Sequence, residues 1–401
     1  MKYIIVLSDG MAGEPLDELN GKTTLEAANT PIWDRLSKTA EIGLAHMVPE
    51  GMAPGSDTAN LSVVGYDPKV YYTGRSPLEA LSIGVDMKDT DIAIRCNVVT
   101  LSEEEDAYEK RKMIDHSAGE ITTEEADELL KALKTVFENE HYQFYTGTSY
   151  RHLLIWNHGK VAELTPPHDI LTREIGPNLP DDDVLYEMMK KSYDILNNHP
   201  INVKRRESGL RPANSIWFWG AGTRPGLTSF ANKTGKKGAM ISAVDLLKGI
   251  AVGAEMGNID VEGASGGLHT NYEGKARSAV NVLLKDGYDF VYVHIEAPDE
   301  MGHQGLVKEK IEAIEYVDGR ITGNIIDGLE AAGEPYRILV LPDHPTPIAT
   351  RTHSCEPVPY LLYDSTSRME GAPSYNENSA KGTGIIWKDG YKLIDHLLEI
   401  E

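Results

Sequence analysis

Three short apolar runs, rich in β-branched and aromatic residues, each lead into an aspartate, and this constrains the chain more than any other feature. Tyr3-Ile4-Ile5-Val6-Leu7 leads into Ser8-Asp9-Gly10. Phe290-Val291-Tyr292-Val293-His294-Ile295 leads into Glu296-Ala297-Pro298-Asp299, and Ile338-Leu339-Val340-Leu341 into Pro342-Asp343-His344. Runs without polar alternation read as strands buried on both faces of a parallel sheet. Helical patterns over 243–253 and 308–329 lie between them. The alternation predicts an α/β fold, a mostly parallel sheet flanked by helices. In such sheets ligands bind beyond the carboxyl ends of the strands. One Asp after a strand is ordinarily a turn former; three of them point to a shared site.

The middle of the chain differs. Its charged fraction rises between residues 101 and 209. Within it lie a capped helix signal over 122–137, a strand signal at His152-Leu153-Leu154-Ile155-Trp156, and a second helix over 184–196. This reads as an inserted, smaller α+β cap domain over 101–209, with 1–100 and 210–401 forming the main domain.

Two of the aspartates have histidines close by. Asp299 and His303 are four residues apart, a spacing that puts both side chains on one side of a helical turn. Asp343 and His344 are adjacent, and His353 follows nine residues on. With Asp9, these six side chains suit two divalent ions. Mixed carboxylate and imidazole donors favour Mn²⁺, Zn²⁺ or Co²⁺ over Mg²⁺ alone. Two ions about 3.5–4 Å apart would clamp the attacking and leaving oxygens of a phosphoryl transfer.

A seventh ligand is suggested by Pro54-Gly55-Ser56-Asp57-Thr58-Ala59-Asn60. Pro-Gly forces a turn, Ser56 then stands at a helix N-terminus where free N–H groups favour an anion, and Gly65 is the expected stop. Ser56 Oγ is the candidate nucleophile. Asn60, one turn on, could direct its amide at the same phosphate.

The composition excludes several classes. The chain has 401 residues and a net charge of −23, the wrong sign for a nucleic-acid partner. No stretch offers about 18 uninterrupted apolar residues, so no membrane span is expected. The first apolar run is too short for a signal peptide. The two distant cysteines, Cys96 and Cys355, show no disulfide framework, so the expectation is a reducing cytoplasm. Association into a homo-oligomer is compatible with the sequence.

These residues, with Tyr72-Thr73-Gly74-Arg75, Arg95-Cys96-Asn97, Asp115-His116-Ser117-Ala118-Gly119 and Trp219-Gly220-Ala221-Gly222, resemble the archaeal-type 2,3-bisphosphoglycerate-independent phosphoglycerate mutases of the alkaline phosphatase superfamily. The resemblance runs over nearly the whole chain. It implies an alkaline-phosphatase-like sheet, a cap that closes over the substrate, and interconversion of 3-phosphoglycerate and 2-phosphoglycerate through a phosphoserine at Ser56. It assigns one metal to Asp9, Ser56, Asp343 and His344, and the other to Asp299, His303 and His353. Arg151 and His116 in the cap, and Lys237, look like substrate-binding positions. His116 is the expected proton carrier, with Asp115 and Asp169 as alternatives; Arg95, Arg205, Arg206 and Arg224 are further candidates for phosphate or carboxylate. Three other readings stay open: a homoserine kinase of the same family, a metal-dependent phosphatase or phosphodiesterase, and a silent metal-binding protein.

Overall fold

The computed structural model describes residues 1–400. Its strands, in chain order, are β1 (Lys2–Ser8), β2 (Glu41–Ala45), β3 (Asp91–Leu101), β4 (Met113–Asp115), β5 (Tyr142–Tyr145), β6 (Arg151–Asn157), β7 (Ser215–Thr223), β8 (Gly238–Ile241), β9 (Gly257–Asn258), β10 (Phe290–Ile295), β11 (Tyr336–Leu341), β12 (Val358–Asp364) and β13 (Ile386–Trp387). The chain divides into two compact units, Met1–Tyr72 with Gly226–Glu401, and Thr73–Pro225.

The first unit is built on an eight-stranded sheet in the order β13-β2-β12-β11-β1-β10-β8-β9. Its centre is parallel: β1 lies between β10 and β11, with Ser8 opposite Ile295 and Leu7 opposite Leu341. Strand β12 runs antiparallel to both of its neighbours. The three strands marked by a following aspartate are therefore adjacent, and their carboxyl ends are aligned. Their apolar runs are buried throughout, and helices Pro31–Ser37, Tyr272–Leu284 and Asn324–Ala331 pack on them in one core with Val6, Val293 and Val340. The helical pattern over 308–329 is not one regular helix. It forms Val307–Tyr316, a π-helical stretch Val317–Gly323, and Asn324–Ala331.

The second unit holds an antiparallel sheet in which β3 pairs with β4, β6 and β7, and β6 with β5. Helices Thr123–Phe137 and Asp183–Leu196 share its core. Thr122 caps the first, its side chain accepting Glu125 N–H at 3.2 Å. This unit is wider than the 101–209 segment marked by charge. Strands β3 and β7 lie almost wholly outside the stretch of raised charge, so composition assigns them to the main domain. Their hydrogen bonds to each other and of β3 to β6 place them in the second sheet instead.

Candidate active site

The site in the first unit lies beyond the aligned carboxyl ends of β1, β10 and β11. Asp9 follows β1 directly, and Gly10 after it has φ +59°. A Cβ at Gly10 would collide with the side chains of Asp299 and Thr346, so only glycine lets this turn approach so closely. Asp299 and His303 sit on helix Ala297–Gln304, as their spacing predicts. Gly302 lets that helix press on the Asp343–Thr346 loop: a Cβ there would lie 2.8 Å from the Thr346 carbonyl oxygen.

Ser56 opens helix Ser56–Val63, entered through an extended Gly55 and left through Gly65 at φ +91°. Thr58 Oγ1 donates to the Gly55 carbonyl at 3.0 Å, which secures the first turn. Ser56 Oγ is 3.1 Å from His344 Nε2. Asn60 reaches back along the helix. Its amide donates to the Ser56 carbonyl at 2.8 Å and to Asp343 Oδ2 at 2.7 Å, and Tyr292 OH donates to its carbonyl oxygen. Asn60 is thus occupied in joining the serine helix to Asp343.

Two groups of donors converge. In one, His344 Nε2 lies 3.6 Å from Asp9 Oδ1 and 3.3 Å from Asp343 Oδ2. In the other, His303 Nε2 lies 3.1 Å from Asp299 Oδ2 and 2.9 Å from His353 Nε2, and His353 Nε2 lies 3.5 Å from Asp299 Oδ1. His344 stacks on His353 with ring centroids 3.8 Å apart, and ligand atoms of Asp299, His344 and His353 also fall within 4.8 Å of one another. The two groups therefore form one continuous constellation.

The donor set fits divalent cations. Asp9 Oδ1 is buried without a hydrogen-bond partner among the described residues. His303 Nδ1–H donates to the Arg351 carbonyl at 2.9 Å, which leaves Nε2 as the ligating atom when the ring is neutral. Two imidazole Nε2 atoms at 2.9 Å need a shared cation or proton between them.

The electrostatics follow from burial and partners. Burial, reinforced by Asp343 and Asp299, drives the Asp9 carboxyl well above the usual range. Burial also opposes ionisation of Asp299, but His303 and His353 outweigh it and hold that carboxyl well below the range. Asp299 correspondingly pushes His303 up to about 9. Burial lowers His344.

Three residues that support this site were not candidates from the sequence. His294 Nε2 is 2.7 Å from Asp9 Oδ2. Lys310 Nζ donates to the carbonyls of Gly10 and Thr346 at 2.8 and 2.7 Å, tying two ligand loops together. Lys275 Nζ donates to the His294 carbonyl at 3.0 Å. The one local signal was a histidine inside an otherwise apolar strand.

Lys237 is not with this site. It is exposed at the amino end of β8, the opposite end of the sheet, with Nζ 4.1 Å from the Tyr288 ring centre and 3.4 Å from the Asp286 carbonyl. It precedes its strand, whereas the site lies after the strands, so the expectation of a substrate contact is corrected.

In the second unit, the Arg95 guanidinium lies 4.2 Å over the Trp219 ring and pairs with Glu79 at 3.0 Å. His116 packs against Tyr150 and His168, and its Nδ1 is buried without a partner among the described residues. Arg151 is exposed at the start of β6, 5.3 Å from the Tyr150 ring centre. These form one cationic and aromatic cluster. Arg224 stands apart on the surface beyond β7, paired with Asp89 at 3.2 Å. Arg205 and Arg206 are structural. Arg205 binds Glu125 and the Ala118 carbonyl, and Arg206 binds Glu103. Asp115 accepts from Ser117 and Gly119 N–H and pairs with Arg211. Those bonds outweigh its burial and lower its pKa, a poor setting for a proton donor.

A family model described as 2,3-bisphosphoglycerate-independent phosphoglycerate mutase matches residues 37–202. The chain is 48% identical over 404 residues, 100% of each chain, to a protein of Geobacter sulfurreducens named as a probable enzyme of that description. It is 49% identical over 388 residues, 95% of each chain, to one of Methanosarcina barkeri so named. Among solved structures, a Pyrococcus horikoshii protein superposes with TM-score 0.81 at 32% identity, over 99% of this chain and 97% of that one. A cofactor-independent phosphoglycerate mutase from Thermoplasma acidophilum superposes with TM-score 0.67 at 28% identity, over 100% and 99%. With full-length identity at this level, the chain belongs to the 2,3-bisphosphoglycerate-independent phosphoglycerate mutase family.

Proposed function

We propose that this protein interconverts 3-phosphoglycerate and 2-phosphoglycerate through a phosphoserine at Ser56. The observation that carries the reading is the position of Ser56 Oγ, at a helix N-terminus and 3.1 Å from His344 in a constellation of three carboxylates and three imidazoles. Asp9, Ser56, Asp343 and His344 would hold one divalent ion, and Asp299, His303 and His353 the other. Bound there, the ions supply charge stabilisation to the transferring phosphoryl group and acidify the serine hydroxyl. The N-terminus of helix Ser56–Val63 would favour the phosphate through its backbone dipole. Asn60 fixes the serine backbone relative to Asp343, which keeps Oγ aimed for in-line attack.

The Arg95, Arg151 and His116 cluster is proposed to recognise the glycerate carboxylate and to carry the proton between the two hydroxyls. Arg suits the planar carboxylate, and imidazole suits proton transfer near neutral pH. A mutase must keep water from the phosphoserine, or it becomes a phosphatase. Both cysteines are free, in keeping with a reducing compartment, and no helix among the described residues is long and apolar enough to cross a membrane.

The test is incubation of the Mn²⁺-loaded protein with 3-phosphoglycerate, following 2-phosphoglycerate and free phosphate. Isomer without phosphate release is the expected result. Phosphate alone would instead establish a hydrolase, and turnover only with ATP and homoserine a kinase.

A further inference from the structure

We propose that Ser242 and His294 form an outer hydrogen-bonded chain that aims Asp9, so that one carboxylate oxygen is held by the protein and the other is left for a cation. The inference rests on the reading of Asp9 as a metal ligand and adds two positioning residues to it. Ser242 follows β8, and His294 lies within β10. Ser242 Oγ accepts the Val244 N–H at 3.0 Å and lies 3.1 Å from His294 Nδ1. On the other side of the ring, His294 Nε2 lies 2.7 Å from Asp9 Oδ2. Ser242 is 4% exposed, Asp9 2% and His294 0%, so no water is at hand to replace any of these bonds.

The proton positions follow from the partners. A carboxylate only accepts, so an ionised Asp9 requires the proton of a neutral imidazole on Nε2. Nδ1 is then an acceptor, and the Ser242 hydroxyl is the donor within reach. Lys275, whose ammonium donates to the His294 carbonyl at 3.0 Å, already places a positive charge behind the ring. A neutral donor leaves the full carboxylate charge for a cation, which an arginine or lysine in the same place would cancel. Asp9 Oδ1, the oxygen His294 does not hold, is the one buried without a hydrogen-bond partner and lies on the side of His344. The chain thus selects which oxygen faces the constellation. Outer partners of this kind change metal affinity by about 10–100-fold when removed.

The test is a Mn²⁺ titration of the metal-stripped protein without substrate, read by electron paramagnetic resonance of free Mn²⁺. The wild type is expected to take up two ions. Ser242→Ala should weaken one site by about 10–100-fold and leave the other within about 2-fold, whereas Ser242→Thr, which keeps the hydroxyl, should hold both near wild-type affinity. His294→Gln should repeat the one-site loss. Thermal melting of the metal-free variants separates this from unfolding, and an alanine variant melting with the wild type while losing one site is the expected pattern. Two sites of wild-type affinity in both Ser242→Ala and His294→Gln would overturn the proposal, as would equal weakening of both sites. A wild-type protein that takes up no Mn²⁺ would overturn the metal reading itself, and the proposal with it.

Discussion

The two halves of the constellation solve the same problem in opposite ways. Asp9, Asp343 and His344 are sealed, none more than 2% exposed, and carry two carboxylates to one imidazole. Asp299, His303 and His353 carry one carboxylate to two imidazoles, and the two histidine side chains are 35% and 20% exposed. Without an ion, the open half neutralises itself: Asp299 stays ionised and His303 takes a proton. The sealed half has no such recourse. Its histidine is driven towards neutrality by burial, and burial, reinforced by the neighbouring carboxylates Asp343 and Asp299, is why Asp9 resists ionisation. The lesson is that the sealed half depends on a cation for its charge balance and the open half only for its chemistry.

The largest expected effect lies at Ser56, which faces the sealed half. Ser56→Ala should reduce kcat by on the order of 10⁴-fold or more, because a nucleophile in a concerted unit cannot be replaced piecemeal. Acid-quenched mass spectrometry of the wild type with substrate should show one added phosphoryl group, absent in the variant. Undiminished turnover in Ser56→Ala would end the covalent reading.

Next come single ligands from each half. Asp343→Asn places an amide where the carboxylate accepts from Asn60 Nδ2, Gly10 N–H and His344 N–H, and buried donors without acceptors cost heavily. A loss on the order of 10³-fold in kcat/KM, with one Mn²⁺ lost, is expected. His303→Gln, in the open half, should cost about 10–100-fold and recover as Mn²⁺ is raised. If the two variants behave alike, the contrast between sealed and open halves fails.

A third experiment reads the contrast through protons. His303 rises from an ordinary 6.5 to about 9 in the metal-free protein. Its stabilising contribution is therefore complete below pH 6.5 and is lost as pH climbs towards 9. The metal-free wild type should lose more melting temperature over that window than metal-free His303→Gln. Metal uptake at the open half should also release a proton below pH 9, visible by calorimetry in buffers of different ionisation enthalpy. A pH-independent difference between the two proteins would contradict this.

How far this was legible depends on what each residue shows locally. The three strand-end aspartates were legible because unbroken apolar runs specify central parallel strands, and such strands share a ligand-binding edge. Asp299 with His303 was legible because a helical turn fixes their spacing. His294 was hidden because a histidine within an apolar strand reads as core until its cross-strand partner is known, and Asp9 is far away in sequence. Lys275 and Lys310 were hidden because lysine on an amphipathic helix reads as solvent-facing. The limits of the second unit were hidden because strand pairing, not composition, decides which sheet β3 and β7 join.

The smallest expected effect is at Lys237. Both halves of the constellation draw their charges from the carboxyl ends of β1, β10 and β11, and Lys237 lies at the amino end of β8 with its ammonium against Tyr288 and the Asp286 carbonyl. An exposed lysine with one ring and one carbonyl contributes within about 0.5 kcal/mol. Lys237→Ala should therefore leave kcat/KM and both Mn²⁺ affinities within about 2-fold of wild type. If it instead raised KM for phosphoglycerate tenfold with kcat unchanged, a cation at the far end of the sheet would be contributing to substrate binding. The separation of sealed and open halves would then no longer describe where the charge that holds the phosphate comes from.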